Sequence, residues 1–295
     1  MSAVPHAAIE QLLSKSMGRA ASVVSERALG GGCIHAAVRL ELSDGSMVFC
    51  KSNPRTGREI FEREAEGLRE LARSRVIPVA QPIAVGQAGA TAFLLIEWIP
   101  TGARTATTWS DFGRDLAQLH HVARADRFGF AHDNHCGETP QSNRWHDEWI
   151  EFWRQERLEP QLRAAQEAGL LPRDRTIATF LDRLDRILAG ADEDGPPSLI
   201  HGDLWSGNVL INEQGRAVLI DPAAYFAHRE AEFGMIDWMG NFGDAFRRGY
   251  EEVWPLSPGS ERRIACYRLY HELNHLNLFG GGYRSSCLST IRSLL

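Results

Sequence analysis

The sequence has few cysteines, and their odd number and wide spacing argue against a domain built on disulfides. Five cysteines occur among 295 residues, an odd number, and no two of them form a Cys-x-x-Cys pair. Small secreted domains are instead dense in paired cysteines. We therefore expect free thiols in a reducing compartment; the five are Cys33, Cys50, Cys136, Cys266 and Cys287.

The sequence also lacks a long apolar run and an excess of positive charge. It has no stretch of about 18 apolar residues, the length that spans a bilayer. Its N-terminus has no basic region followed by an apolar core, as a secretory signal would. The net charge is −6 and the isoelectric point is near 6.0, which gives no basic surface for nucleic acid. We expect a cytoplasmic protein that binds neither nucleic acid nor membranes.

The most informative stretch that is present runs from residue 199 to 221. The apolar runs 208–212 (NVLIN) and 217–221 (AVLID) are separated by residues 213–216, which predicts a β-hairpin with a four-residue loop. If Asn212 faces Ala217, then Asn208 faces Asp221. Directly opposed residues have Cβ atoms about 5 Å apart, so an amide and a carboxylate would be ready to share one divalent cation.

Asp203 lies five residues before Asn208, on the loop that enters this hairpin. An Asp-x-x-x-x-Asn loop followed by a further Asp is typical of kinases. The first Asp orients and deprotonates the attacking hydroxyl, and the Asn and the last Asp hold Mg²⁺ against the phosphates. Asp203 is thus the candidate base, and Asn208 and Asp221 are the candidate metal ligands. The alternative is a turn rich in Asp, Asn and Gly that only reverses the chain.

A glycine-rich turn precedes the first predicted hairpin. Gly30, Gly31 and Gly32 stand just before it, and glycines let the backbone approach phosphate oxygens closely. They do not complete the Gly-x-Gly-x-x-Gly pattern. Cys33 follows, where nearby N–H groups would favour a reactive thiol, although a buried, inert cysteine is the favoured interpretation.

The next two candidates are a lysine and a glutamate that suit each other. Apolar alternation around Asp44 and Gly45 predicts a hairpin whose second strand ends at Lys51. The segment 59–73 then predicts a helix, and Glu64 falls within its apolar stripe. Because an inward carboxylate is costly without a cation, we expect Glu64 to pair with Lys51, as in the pair that positions ATP phosphates in kinases. A glutamate at the edge of the stripe, with its carboxylate reaching water, is the alternative.

The remaining pattern predicts two lobes. Residues 1–99 form an N-lobe that starts with a helix to about residue 22 and ends with a strand over 91–99. In a kinase this end is the hinge, where the backbone of Glu97, Trp98 and Ile99 would bind adenine. Residues 100–295 form a mostly helical C-lobe, with the catalytic loop, metal site and substrate cleft. Its helices are predicted over 109–123, 147–168, 175–189 and 261–279.

One sharp alternative is a zinc hydrolase. His271, Glu272 and His275 form a literal His-Glu-x-x-His match, the helical zinc motif of metalloproteases. A catalytic zinc needs a third protein ligand, commonly from downstream. Residues 276–295 contain no His, Asp or Glu, so the zinc reading is disfavoured.

The whole chain resembles the fructosamine kinase (ketosamine kinase) family, within the aminoglycoside phosphotransferase-like branch of the protein-kinase fold. A His-Gly-Asp-Leu motif alone would fit choline and aminoglycoside kinases equally well, and Trp205 with the two C-terminal motifs favours this family. The segments that carry the resemblance are 31–34 (GGCI), 49–51 (FCK), 61–65 (FEREA), 116–120 (LAQLH), 128–130 (FGF), 201–208 (HGDLWSGN), 220–223 (IDPA), 228–230 (HRE) and 273–280 (LNHLNLFG).

The resemblance implies an α+β, bilobal protein-kinase-like fold, with a small antiparallel sheet in the N-lobe and a mainly helical C-lobe. It implies transfer of the γ-phosphoryl group of ATP, with Mg²⁺, to a hydroxyl of a ketosamine, O3 by expectation, in the repair of glycated amines or proteins. Trp205 and His228 are the residues expected on the sugar side, although core packing suits each nearly as well. A choline- or aminoglycoside-type acceptor and a catalytically silent nucleotide-binding module stay open, as do a monomer and a homodimer.

The sequence departs from the patterns of related kinases at three places, and each departure bears on function. Gly202 stands where many protein kinases have an arginine that binds a phosphorylated activation loop, and Pro222 stands where they have phenylalanine. Switching by phosphorylation is therefore not expected. Residues 238–242 (WMGNF) depart from the family's more usual Leu-Phe-Gly-Gly-Phe, which leaves the shape of the acceptor open.

Overall fold

The computed structural model describes residues 5–30 and 35–295. Its N-terminal part is built on a five-stranded antiparallel sheet of strand order β1-β2-β3-β5-β4. The strands are β1 (Val23–Leu29), β2 (Ala36–Leu42), β3 (Met47–Asn53), β4 (Pro82–Ala88) and β5 (Thr91–Glu97).

The predicted hairpin around Asp44 and Gly45 is present as β2 and β3. Gly45 has φ +83°, and Asp44 Oδ1 accepts from the backbone N–H of Ser46, so short-range turn chemistry sets the reversal. Because side chains alternate along a strand, one face of the sheet is apolar and packs on helix α1 (His6–Met17). Helix α1 ends earlier than the sequence predicted, at Gly18 with φ +66°.

The other face of the sheet packs on helix α2 (Arg58–Arg73). Its buried stripe of Phe61, Ala65, Leu68 and Leu71 belongs to a hydrophobic core that continues into the helical part of the chain. Burial of this stripe holds α2 against β4 and β5, and so fixes where Glu64 points.

The C-terminal part is mainly helical. Its α-helices are α3 (Thr108–Val122), α4 (Trp149–Phe152), α5 (Glu159–Glu167), α6 (Arg175–Asp182), α7 (Leu184–Ile187), α8 (Glu232–Met235), α9 (Asp244–Val253), α10 (Ser260–Phe279) and α11 (Arg284–Leu294). Wider π-helical turns occur at Trp153–Leu158 and Ile236–Gly240. Three two-stranded pairs complete it, made by β6 (Asn134–Cys136) with β7 (Thr139–Gln141), β8 (Ser198–Ile200) with β11 (Tyr225–Ala227), and β9 (Val209–Ile211) with β10 (Ala217–Leu219).

The predicted hairpin of residues 208–221 is present as β9–β10, but its predicted register was wrong by one residue. Leu219 pairs with Val209 and Ala217 with Ile211, so Asn208 stands opposite Ile220 rather than Asp221. The side chain of Asn212 explains the shift, because its Oδ1 accepts from the backbone N–H groups of Gln214 and Arg216. This closes a three-residue loop instead of the expected four.

The architecture is the α+β, bilobal protein-kinase-like fold that the resemblance implied. The two parts are connected beside the β9–β10 hairpin, where Ala80 N–H donates to Leu219 O at 3.1 Å and Gly102 N–H donates to Ile211 O at 2.9 Å. Within the described ranges no helix has the length and apolar character needed to cross a membrane.

Candidate active site

Lys51 lies at the centre of a buried charge cluster. Its Nζ donates to both carboxylate oxygens of Glu64, at 3.1 and 3.0 Å, and lies 3.1 Å from Asp221 Oδ1. Strand β3 supplies the lysine and helix α2 the glutamate, as the sequence predicted. The lysine thus connects the sheet, α2 and the loop after β10.

Lys51 and Asp221 stabilise each other's charge, whereas burial raises the pKa of Glu64 to about 7 against the lowering by Lys51. Burial alone would lower the pKa of Lys51, but Asp221 and Glu64 outweigh it and raise that pKa. Burial alone would raise the pKa of Asp221, but the Lys51 ammonium holds it below its usual range. The amine is therefore cationic and Asp221 anionic at neutral pH.

Asp221 reaches this position through its backbone. It follows β10 with φ +53°, a left-handed conformation that is uncommon for a residue other than glycine. Such conformations persist where the surroundings over-determine them, commonly at functional sites. The turn brings Asp221 beside Asn208 although the two are not cross-strand partners.

The candidate base, Asp203, lies on the loop between β8 and β9. Asn208 Nδ2 donates to Asp203 O at 2.8 Å, to Asp203 Oδ2 at 3.1 Å and to Asp221 O at 3.5 Å. Burial raises the pKa of Asp203 to about 7, against the lowering by the Asn208 hydrogen bond. A carboxylate with a pKa near the working pH is suited to take a proton.

The donor set fits a hard divalent cation. Asn208 uses its amide nitrogen on the loop, which leaves its Oδ1 to bind a cation, and Asp221 adds an anionic carboxylate. Mg²⁺ prefers such oxygen ligands, usually one or two from the protein with the rest from water and phosphate.

Glu232 anchors the catalytic loop, and sequence reasoning missed it. Its side chain is fully buried at the start of α8 and accepts from the backbone N–H groups of His201 and Gly202, the latter at 3.0 Å. His201 in turn bonds Ile220 O through Nε2 at 2.8 Å. The one available signal was a glutamate set among the apolar residues of 231–236, which does not say what it binds.

Gly202 has to be a glycine at this point of the loop. Its φ is +80°, and a Cβ there would lie 2.2 Å from the carbonyl oxygen of Ala223. Both the conformation and the close backbone approach exclude a side chain. The arginine that many protein kinases carry here would therefore not fit this loop.

We expect Glu232→Gln to reduce kcat about 100-fold while the KM for ATP changes little. The amide replaces one acceptor oxygen with an N–H₂ group that faces a backbone N–H, so one buried donor loses its partner at a cost of about 2 kcal/mol. Steady-state kinetics and thermal unfolding measure the two effects. Glu167→Gln, an exposed position on α5, is the matched control. A kcat within threefold of the parent would contradict the anchoring role.

The predicted hinge lies where β5 ends. Glu97 N–H donates to Gln81 O at 2.9 Å, and the Glu97 carboxylate accepts from Gln81 N–H at 2.8 Å. The amide of Glu97 is thus engaged, and adenine contacts from this residue would have to use its carbonyl. Trp98 and Ile99 follow, both partly buried. Of the glycine-rich turn, Gly30 follows β1, while Gly31, Gly32 and Cys33 lie outside the described residues.

The two residues expected on the sugar side have different surroundings. The partly buried Trp205 ring lies against Gly207, where a Cβ would come within 2.3 Å of the ring. His228 is 3% exposed, and its Nδ1 is 2.9 Å from the Tyr267 hydroxyl. The structure places His228 in the core of the helical lobe, next to the buried ion pair of Glu230 with Arg263. The Trp205 side chain is thus partly exposed, whereas that of His228 is buried.

The His-Glu-x-x-His match does not form a zinc site. Glu272 Oε1 accepts from Ser286 at 2.8 Å and lies 3.2 Å from Arg268, and His275 Nδ1 bonds His271 O at 2.9 Å. The motif is part of the packing of α10. In the described part of the chain, the three-residue group with metal-ligating atoms is Cys136, Asp203 and His271, all within 4.8 Å of one another.

Comparison with known proteins places this geometry in context. The family model described as fructosamine kinase matches residues 5–295. A chloroplastic protein-ribulosamine 3-kinase from Oryza sativa subsp. japonica is 41% identical over 285 residues, 94% of this chain and 81% of that protein. A candidate ketoamine kinase from Synechocystis is 36% identical, over 100% of this chain and 98% of the other. A solved structure of a candidate fructosamine-3-kinase from Thermobifida fusca has a TM-score of 0.85 at 34% identity, covering 97% of this chain and 98% of the other.

Proposed function

The chain belongs to the fructosamine kinase family and is an ATP-dependent phosphotransferase that acts on a hydroxyl group, and we propose that this hydroxyl is O3 of a ketosamine sugar. The observation that carries the proposal is the convergence of Asp203, Asn208 and Asp221 opposite the Lys51 and Glu64 pair. The raised pKa of Asp203, about 7, supports a base that takes a proton and so favours a kinase over a catalytically silent module.

Each residue of the cluster has a proposed role. Lys51, held by Glu64, binds the α- and β-phosphates of ATP, and Gly30 to Gly32 with the hinge at Glu97, Trp98 and Ile99 surround the rest of the nucleotide. Asn208 and Asp221 hold Mg²⁺, which neutralises charge on the phosphates when bound. These parts divide the chain as proposed from the sequence, with residues 1–99 chiefly binding the nucleotide and 100–295 the acceptor.

The proposed step needs positioning and one proton transfer. Asp203 accepts the proton of the acceptor hydroxyl. At the same time the hydroxyl oxygen bonds to the γ-phosphorus, and the bond from that phosphorus to the ADP oxygen breaks. The anchoring of the loop by Glu232 and Asn208 keeps the carboxylate in place before substrate binds. Such fixed geometry supplies most of the rate enhancement in phosphoryl transfer.

A ketosamine acceptor suits the surroundings of Asp203. The Trp205 ring offers a flat face to the apolar side of a sugar and attracts a cationic amine. The ribulosamine 3-kinase from rice supports a ribulosamine- or fructosamine-type sugar. The proposed biological role is the repair of glycated amines or proteins. A choline- or aminoglycoside-type acceptor is the alternative within the same fold.

The test is magnesium-dependent release of ADP with four acceptors: ribulose-lysine, fructose-lysine, choline and kanamycin. We expect turnover with the ketosamines only, and a product whose phosphate is on O3 by nuclear magnetic resonance. The turnover with ribulose-lysine and with fructose-lysine then shows which of the two sugars is preferred. Turnover confined to choline or kanamycin would contradict the proposed acceptor, and phosphate on another oxygen would contradict O3.

A further inference from the structure

One row of side chains on α10 leads from the candidate base to the surface. His271, His275 and Phe279 are spaced by four residues, so they stand on neighbouring turns of one helix face over about 12 Å. His271 is 4% exposed, His275 is partly buried and Phe279 is 57% exposed. The row therefore runs outward from the interior beside Asp203 to solvent.

The inner end of the row lies beside the candidate base, Asp203. A side-chain ligand atom of His271 lies within 4.8 Å of one from Asp203 and one from Cys136. His271 Nδ1 is buried and has no hydrogen-bond partner among the described residues. Burial also lowers the pKa of His271 to about 3, so its ring is neutral. A buried polar atom without a partner is costly.

The outer end is an aromatic cluster, which we define as Trp238, His275, Phe279 and Tyr283. The His275 ring centroid is 4.7 Å from that of Trp238, 5.3 Å from that of Tyr283 and 5.4 Å from that of Phe279. None of the four is fully buried, so their faces and edges reach solvent. Grouped aromatic rings left at a surface next to a reaction site commonly mark a binding surface.

We propose that this aromatic cluster binds the amine-bearing half of the acceptor and selects for extended amines, an inference that rests on the proposed function. In a ketosamine, three carbon atoms separate the amine nitrogen from O3. With O3 at Asp203, the nitrogen lies near His271 and its substituent continues along the row toward Phe279.

The chemistry of a lysine side chain suits the cluster. Beyond the nitrogen, a lysine adduct has a stem of four apolar carbons, which packs on aromatic rings. The exposure of Phe279 leaves the far end open, so the lysine can belong to a peptide. The cluster thus binds the amine substituent, while Asp203 and Trp205 contact the sugar.

The experiment compares two acceptors with the same sugar: ribulosyl-methylamine, and a short peptide carrying Nε-ribulosyl-lysine. The variants are Phe279→Ala and Trp238→Ala, with Trp145→Ala as the control, a partly exposed tryptophan that stacks on Phe226. For the peptide, we expect each cluster variant to raise KM about tenfold with kcat unchanged. For ribulosyl-methylamine, we expect kcat and KM within twofold of the parent.

Three outcomes would overturn the inference. Equal losses on both acceptors would mean that the cluster supports the fold or the sugar site, and no loss on either would mean that the amine lies elsewhere. A parent enzyme that turns over both acceptors with equal kcat/KM would also refute selection for extended amines. If the parent phosphorylates neither, the proposed function itself fails, which is a distinct result.

Discussion

Asp203→Asn is expected to lower kcat at least about 1,000-fold while the protein still binds ATP. The amide keeps the shape of the side chain and can still accept from Asn208, but it cannot take the proton of the acceptor hydroxyl. Ketosamine-dependent ADP release measures the loss, and titration calorimetry with MgATP measures retained binding.

The same substitution is expected to stabilise the fold above neutral pH. Because burial raises the pKa of Asp203 to about 7, the native state holds a proton there between about pH 4 and 7 that the unfolded chain has released. Stability therefore falls as pH rises through this window, and the cost persists above pH 7. Asp203→Asn removes that cost, so its Tm should exceed that of the parent by about 5 °C at pH 8 and by much less at pH 5.

The kcat/KM of the parent enzyme should depend on the same protonation of Asp203. At subsaturating acceptor, kcat/KM should rise with pH up to about 7 as Asp203 loses its proton. Asp126→Asn, at an exposed position, is the control for both measurements. Residual activity above a tenth of the parent, or a Tm gain equal at pH 5 and pH 8, would mean that Asp203 is not the buried base.

The sequence predicted those features that depend on local pattern. Glu64 stood in an apolar stripe, and an inward carboxylate needs a cation, so its pairing with Lys51 followed from electrostatics together with the kinase pattern. The hairpins followed from alternation around turn residues such as Asp44 and Gly45.

Features that depend on a hydrogen bond from one side chain to the backbone were not predictable from the sequence. The hydrogen bonds of Asn212 to its own turn shifted the β9–β10 register by one residue. The bond from Glu232 to the loop 30 residues earlier required the packed structure. Asp221 still reached Asn208, through a left-handed backbone rather than through pairing.

The helix boundaries and the position of His228 were also not predictable from the sequence. The predicted helix over 175–189 is divided at Arg183 into α6 and α7, and helices α9 and α11 were not predicted. His228 was expected at the sugar and lies in the core, because its hydrogen bond to Tyr267 depends on α10 packing beside it.

Lys51→Met is expected to have the second large effect, a fall in kcat/KM for ATP of at least about 1,000-fold. The substitution removes the only cation that contacts both Glu64 and Asp221 in the hydrogen bonds and ion pairs of the described residues. Two carboxylates are then left facing each other in a largely buried site, and breaking such a pair costs about 3 kcal/mol. Lys15→Met is the matched control, because Lys15 is exposed and is the one other lysine of the sequence.

The pH dependence of the Tm deficit distinguishes a loss of charge balance from the loss of a packing contact. In the parent, Lys51 holds the pKa of Asp221 below its unfolded value, so that carboxylate contributes stability above about pH 4. Without the lysine, burial raises the pKa of Asp221, and the variant gains stability as acid protonates one carboxylate. The Tm deficit of Lys51→Met should therefore be largest at pH 8 and shrink toward pH 5, whereas a lost packing contact would cost the same at both. A pH-independent deficit would show that Lys51 acts as a spacer, and the arrangement of Asp221 for Mg²⁺ would then need another source of charge balance.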